Sequence, residues 1–190
     1  FSLDEMVELF QLEKVNVSAS TFNTEKLLWL NHQYIMHSEP EHVARHLSWH
    51  MGELGLDPSE GPALSEVVKI QRERCKTLVE MAEASRYFYE EFAAYEEKAA
   101  AKNFKVEAVP VLQQLLKAFS AVSEWQAEPL HQVVLDTAEA LQLGLGKVAQ
   151  PLRVAVCGCG VSPAIDQTLA LLGREKTLSR IQRAIDAISH

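Results

Sequence analysis

Residues 151–166 read PLRVAVCGCGVSPAID, the one part of this 190-residue chain that does not scan as plain helix. Val154 and Val156 make the run apolar and β-branched, Gly158 and Gly160 break it, and Ser162-Pro163 opens what reads as a new helix. A strand-like piece at 152–156, a glycine turn and a helix N-terminus are the parts of an anion site. Outward from it the chain is helical, so the expected fold is mainly α, with that short piece as the sole exception.

The other helix starts are well marked. Ser2-Leu3-Asp4-Glu5 fits a capping box ahead of Met6, Leu9 and Phe10. Asn23 can cap a helix with an apolar stripe of Leu27, Leu28, Trp29 and Leu30. Ser38 offers a cap for a helix that turns Val43, Leu47 and Met51 inward and ends near Gly52 or Gly55. Beyond the turn cluster at 57–62, Leu64 to Tyr95 predicts one long helix, broken near Arg86, with Tyr87, Phe88, Phe92 and Tyr95 near one face. Further helices are expected over 111–119, 129–143, 162–172 (capped by Gly173) and 176–188, the last with a stripe of Leu178, Ile181, Ile185 and Ile188.

Composition bounds the function. Hydrophobic residues make up 47% and charged residues 23%, the proportions of a globular protein with a sizeable core. No apolar run approaches the ~20 residues that span a membrane, so none is expected. Three cysteines, an odd number, argue for a reducing compartment, with cytoplasm as the expectation. The chain opens on Phe1 in mid-pattern, as a processed or excised piece would. Net charge is −8, yet residues 144–190 hold six basic against three acidic side chains, while the rest holds 12 against 23. That asymmetry points to a polyanion-facing end.

Most chemical motifs fail on spacing. His42, His46 and His50 share a helix face, but no glutamate or third ligand completes a zinc site, and an exposed polar face explains them. Cys157-Gly158-Cys159 is too tight for a zinc knuckle, so no metal is expected. Gly158-x-Gly160 lacks the third glycine and the acid of a dinucleotide fingerprint, and no Gly-Lys-Ser/Thr follows. No catalytic residue is visible. What remains is a group of donors: Lys147, Gln150, Arg153 and the backbone N–H groups after Ser162-Pro163. Gln and Arg can both read base edges, and the glycines would let a flat ligand approach. Equally open is a reading in which Arg153 caps helix carbonyls and Ser162 is only an N-cap.

The string GLGKVAQPLRVAVCGCGVSP followed by LALLGREKTLSRIQRAI resembles the C-terminal anticodon-binding region of bacterial glutamyl-tRNA synthetases. SASTFNTEKLLWLNHQYI at 18–35 and RCKTLVEMAEASRYFY at 74–89 resemble two further blocks of that family, in order and at sensible spacing. The resemblance implies a two-part helical bundle, an α-helical anticodon-binding cage. Residues 1–86 would be the end of the stem-contact region plus a first helical subdomain, and 87–190 the second. It implies tRNA (glutamate-accepting) as partner, with no DNA, no membrane and a monomer. Arg74 would discriminate the first anticodon base, and Gln150, Arg153, Ser162 and Pro163 would face the second and third, with Lys147 beside them. Cys157 stands where many relatives have Thr, and neither it nor Cys159 is given a contact. The family's H-x-G-H and K-[ML]-S-K signatures are absent from this sequence. The chain is therefore expected to bind tRNA without charging it and to hold no cofactor, ATP and Mg belonging to the catalytic part of such enzymes. The alternative class is a helical protein–protein interaction domain without RNA binding.

Overall fold

The computed structural model describes residues 1–16, 18 and 21–189. Of the block that opens the 18–35 resemblance, Ala19 and Ser20 lie outside the described residues. Helices α1 (Leu3–Leu9), α2 (Thr24–His37) and α3 (Pro40–Glu53) come first, with 3-10 turns at Leu12–Lys14 and Pro58–Glu60. Then follow α4 (Leu64–Gln71), α5 (Leu78–Ala84), α6 (Arg86–Tyr89) and α7 (Glu97–Asn103). The array closes with α8 (Ala108–Ser120), α9 (Ala127–Ala140), α10 (Leu145–Cys157), α11 (Ile165–Leu172) and α12 (Arg174–Ser189). Among the described residues there is no strand, and no helix is long and apolar enough to cross a membrane.

Local chemistry accounts for several boundaries. Glu5 N–H donates to Ser2 Oγ and Ser2 N–H to the Glu5 carboxylate, closing the expected capping box. Asn23 Oδ1 accepts from Lys26 N–H at 2.9 Å, as expected. Val43, Leu47 and Met51 are buried on α3, and Gly55 takes the positive φ that ends its last turn. Ser38 does not cap α3; it closes α2, and Pro40 sits in the first turn of α3 after an uncapped Glu39. The apolar residues of α1 and the stripe of Leu27, Trp29 and Leu30 on α2 are exposed rather than packed. Only Ile35 of α2 joins the core.

Three expectations give way to the structure. The 152–156 segment is helix, not strand: it is the C-terminal half of α10, where Leu152, Val154, Ala155, Val156 and Cys157 are all buried. Packing against α8, α9, α11 and α12 buries most of this half of the helix, so apart from Arg153 its sequence reads as an apolar run. The long helix expected over 64–95 is three separate helices, α4, α5 and α6, the last two parted at Ser85, beside the break expected near Arg86. It breaks first at 72–77, where Thr77 and Glu80 form a second capping box that starts α5. It breaks again at 90–96, an extended loop, so Phe92 and Tyr95 reach the core from a loop instead of from a helix face. The helix expected from Ser162 begins at Ile165.

One continuous apolar cluster runs from Ile35 to Ile185. Helix α12 lies through it, with Ile181 and Ile185 buried and Leu178 and Ile188 at its margin, as the stripe predicted. Arg180 is also inside, 1% exposed. Its Nη1 donates to Tyr87 O and Val156 O at 2.8 and 2.7 Å, and its Nη2 to Glu90 O and the Glu91 carboxylate.

Candidate nucleic-acid interface

Helix α10 presents Lys147, Gln150 and Arg153 three residues apart, on one side. Lys147 is exposed, and Gln150 and Arg153 are half-buried. Gly158 ends the helix with φ +77°, its N–H donating to Val154 O, and the chain reverses through Gly160 so that Ser162 returns beside Arg153. Arg153 Nε donates to Ser162 Oγ at 2.9 Å, and Ser162 Oγ donates its proton to Pro163 O at 2.9 Å. Ser162 is therefore neither the cap of α11 nor free to donate; Ala164 occupies the N-cap position. Pro163 is buried. The two Nη groups of Arg153 have no hydrogen-bond partner among the described residues and are the donors left for a ligand.

The glycine turn is held from across the site by the 90–96 loop. Glu96 N–H donates to Gly158 O at 2.7 Å, and Gly160 N–H donates to the Glu96 carboxylate at 3.2 Å. A Cβ on Gly158 would stand 2.9 Å from the Phe92 ring. The flat group that approaches this glycine is thus the protein's own Phe92, which corrects the expectation that a ligand would use that space. Phe92 carries in turn the guanidinium of Arg183, centred 4.2 Å from its ring.

This turn forms one wall of a groove of about 570 Å³, with Cys157, Gly158, Cys159, Val161 and Ser162 on that side. Arg74, exposed in the turn between α4 and α5, lines the same groove. Asn31 Nδ2 donates to Lys76 O at 2.6 Å and His32 Nε2 lies 2.9 Å from Arg72 O, so α2 grips that turn from behind. Arg86 and Glu90 also line the groove and pair with each other at 2.7 Å. The structure thus brings Arg74 and Ser162 to one groove with Arg153 bonded to the latter. Lys147 and Gln150 border two adjoining hollows instead.

Of the six basic residues in the C-terminal quarter, four are engaged internally. Arg174 Nη2 donates to Val122 O, Lys176 to Glu60 O and Phe88 O, Arg180 as above, and Arg183 contacts Glu91. Lys147 and the outer nitrogens of Arg153 remain to give that end its outward charge. All three cysteines are free thiols on the 570 Å³ groove. Burial pushes Cys157 up to about 12 and Cys75 up to about 11, which keeps both protonated and inert. Among the described residues no three His, Cys, Asp or Glu side chains are placed to hold a metal ion, and His42 and His46 pack edge to face.

Sequence reading missed the 90–96 loop and Arg180 as supports of the site. Glu96 was legible only as part of an acidic helix face, and nothing local marks Arg180 as buried. It also passed over Lys98, Lys102 and Lys105, whose spacing of four and three was visible but lay within a net acidic segment.

The family model described as "Anticodon binding domain" matches residues 41–185. Glutamate--tRNA ligase 1 of Alkalilimnicola ehrlichii is 60% identical over 188 residues, covering 99% of this chain and 40% of that protein. Glutamate--tRNA ligase 1 of Nitrosococcus oceani is 56% identical over 190 residues, covering 100% of this chain and 40% of that protein. A crystal structure of a glutamate tRNA ligase from Elizabethkingia meningosepticum superposes with a TM-score of 0.88 at 27% identity, over 99% of this chain and 37% of that one. The Elizabethkingia anophelis glutamate-tRNA synthetase gives 0.83 at 28%, over 98% and 36%. The chain spans about two-fifths of the length of the curated relatives it matches. With a match that runs from α3 into α12 and takes in every residue lining the groove, this chain belongs to the anticodon-binding domain family, in the form found in glutamate–tRNA ligases.

Proposed function

We propose that the chain binds the anticodon loop of glutamate-accepting tRNA and so supports ATP-dependent glutamylation by a catalytic domain outside these 190 residues. The observation that carries this is the shared groove, lined by Arg74 and by Ser162, with Arg153 bonded to the latter. Glutamate and glutamine anticodons differ only in their last base, C against G, so the base assigned to Arg74 is that cytosine rather than the first base: a planar fork of donors suits its O2 and N3 acceptors. Arg153 offers its outer nitrogens to the acceptors of a neighbouring base, and Gln150 both donates and accepts. The Arg153–Ser162 bond fixes the guanidinium before a base arrives, which lowers the ordering entropy of binding. In this reading Pro163 shapes the groove wall from behind, and Lys147 meets a phosphate beside Gln150. ATP and Mg belong to the catalytic domain, and the module works as a monomer in the cytoplasm.

Arg74→Gln tests it, by fluorescence anisotropy with anticodon stem-loops of glutamate and glutamine tRNAs. One good donor pair gives about 1–3 kcal/mol of discrimination. The preference of the unmodified chain for the glutamate loop should therefore fall by about 5- to 150-fold in the variant. An unchanged ratio would remove Arg74 from base reading, and failure of the unmodified chain to prefer either loop would sink the proposal itself.

A further inference from the structure

The 570 Å³ groove does not stand alone. Glu96 and Val161 lie on its rim and also on that of a second hollow of about 320 Å³. Lys102, Asn103 and Gln150 in turn border both that hollow and a third, of about 750 Å³. The three form a continuous track that leaves the candidate base site past the glycine turn and runs between α7 and the start of α10.

The sign of charge changes along it. On the first groove Arg74 and Arg86 face Glu83, Glu90 and Glu96, a net −1. On the other two Lys98, Lys102, Lys105 and Lys147 face Glu96 and Glu107, a net +2, in a chain whose total is −8. All four lysines are exposed, and none has an ion-pair or hydrogen-bond partner among the described residues. No aromatic side chain lines these two hollows, so they hold nothing on which a base could stack. Unpaired lysines on a flexible stem suit a line of phosphates, whereas the groove, with no basic excess, suits neutral base edges.

We propose that Lys98, Lys102, Lys105 and Lys147 form a phosphate track for the RNA strand that leaves the base-reading groove, a site distinct from Arg74 and Arg153 that meets the base-reading residues only at Gln150. This rests on the function proposed above. The ligand is a phosphodiester backbone, and the track holds it in register without reading its sequence.

The test compares the unmodified chain with the triple variant Lys98→Gln, Lys102→Gln, Lys105→Gln, using the glutamate anticodon stem-loop from 50 to 200 mM KCl. Each lost phosphate contact removes about 0.7–0.9 from the slope of log affinity against log salt. Three lost contacts lower that slope by about 2, so each doubling of salt should weaken the unmodified chain about fourfold more than the variant. Discrimination between the glutamate and glutamine loops should be unchanged. Circular dichroism controls for folding, and the three positions are exposed. An unaltered slope, as expected if the lysines take an acidic protein segment instead, overturns the track. So does lost discrimination at an unaltered slope. If the unmodified chain binds neither loop, it is the proposed function that fails, whereas binding with discrimination and an unaltered slope condemns the track alone.

Discussion

Gly158 and Gly160 look interchangeable in the sequence, yet they carry different loads. Gly158 sits at φ +77°, where a side chain is strained by roughly 1–2 kcal/mol, and its Cβ would also meet Phe92 at 2.9 Å. Gly160 has no positive φ, and its Cβ would meet only Ala99 Cβ at 3.3 Å. Gly158→Ala should therefore lower unfolding stability by about 2–3 kcal/mol in urea titrations, while Gly160→Ala costs less than about 1 kcal/mol. Because Phe92 and Glu96 belong to one loop, Gly158→Ala should also weaken binding of the anticodon stem-loop. Equal stability of the two variants would mean that Phe92 moves aside freely. The adjacent thiols add a separate lesson. Burial makes Cys157 and Cys75 structural groups, so their place on the groove does not make them reactive.

Among the elements, α5 matters most to the site because its start positions the turn that bears Arg74. Glu80 N–H donates to Thr77 Oγ1 at 3.1 Å, and the Glu80 carboxylate accepts from Lys76 N–H and Thr77 N–H. Thr77→Ala should destabilise by about 0.5–2 kcal/mol and speed hydrogen exchange over 78–81. RNA affinity should fall only modestly, since α2 still holds Lys76 O and Arg72 O. Unaltered exchange would show that the turn is set by α2 alone. This box, Thr77-x-x-Glu80, was legible in the sequence, but a helical period running through it hid the break. Where a cap stood at the start, as at Ser2 and Asn23, or a clean apolar stripe ran along the helix, as in α12, helices were legible to within a few residues. Where tertiary contacts decide the conformation they were not. Helix α10 is apolar because it is enclosed, and the 90–96 loop is held by Arg180 and Gly158 rather than by its own residues. Of the candidate site, the donors on α10 and the importance of the turn were readable, whereas the Arg153–Ser162 pairing and the internal use of Ser162's proton depend on a chain reversal that spacing does not encode.

At the scale of the molecule, α12 joins what the other helices separate. Lys176 reaches Glu60 O and Phe88 O, Arg174 reaches Val122 O, and Arg180 bonds three backbone carbonyls from α6, the 90–96 loop and α10. The basic excess of this end is thus largely a set of internal fasteners, and the outward field comes from Lys147 and the Nη groups of Arg153 together with Lys98, Lys102 and Lys105. Arg180→Leu would keep most of the buried volume but leave Tyr87 O, Val156 O and Glu90 O without their donor. An orphaned buried acceptor costs about 1–3 kcal/mol, and the Glu91 carboxylate, largely exposed, adds little because water can solvate it. The expected loss is on the order of 3–5 kcal/mol, with Arg180→Lys intermediate because one ammonium cannot span all three carbonyls. Since those carbonyls hold both the Gly158 turn and the loop that clamps it, anticodon-loop binding should fall with stability in the Leu variant. Urea unfolding followed by tryptophan fluorescence also tests the division at residue 86. A single transition that shifts as a whole marks one cooperative unit fastened by α12, whereas two transitions with only the later one shifted would mark 1–86 and 87–190 as separate folding units. A stability change below 1 kcal/mol would mean that water replaces the guanidinium, and would deny Arg180 its part in holding the interface.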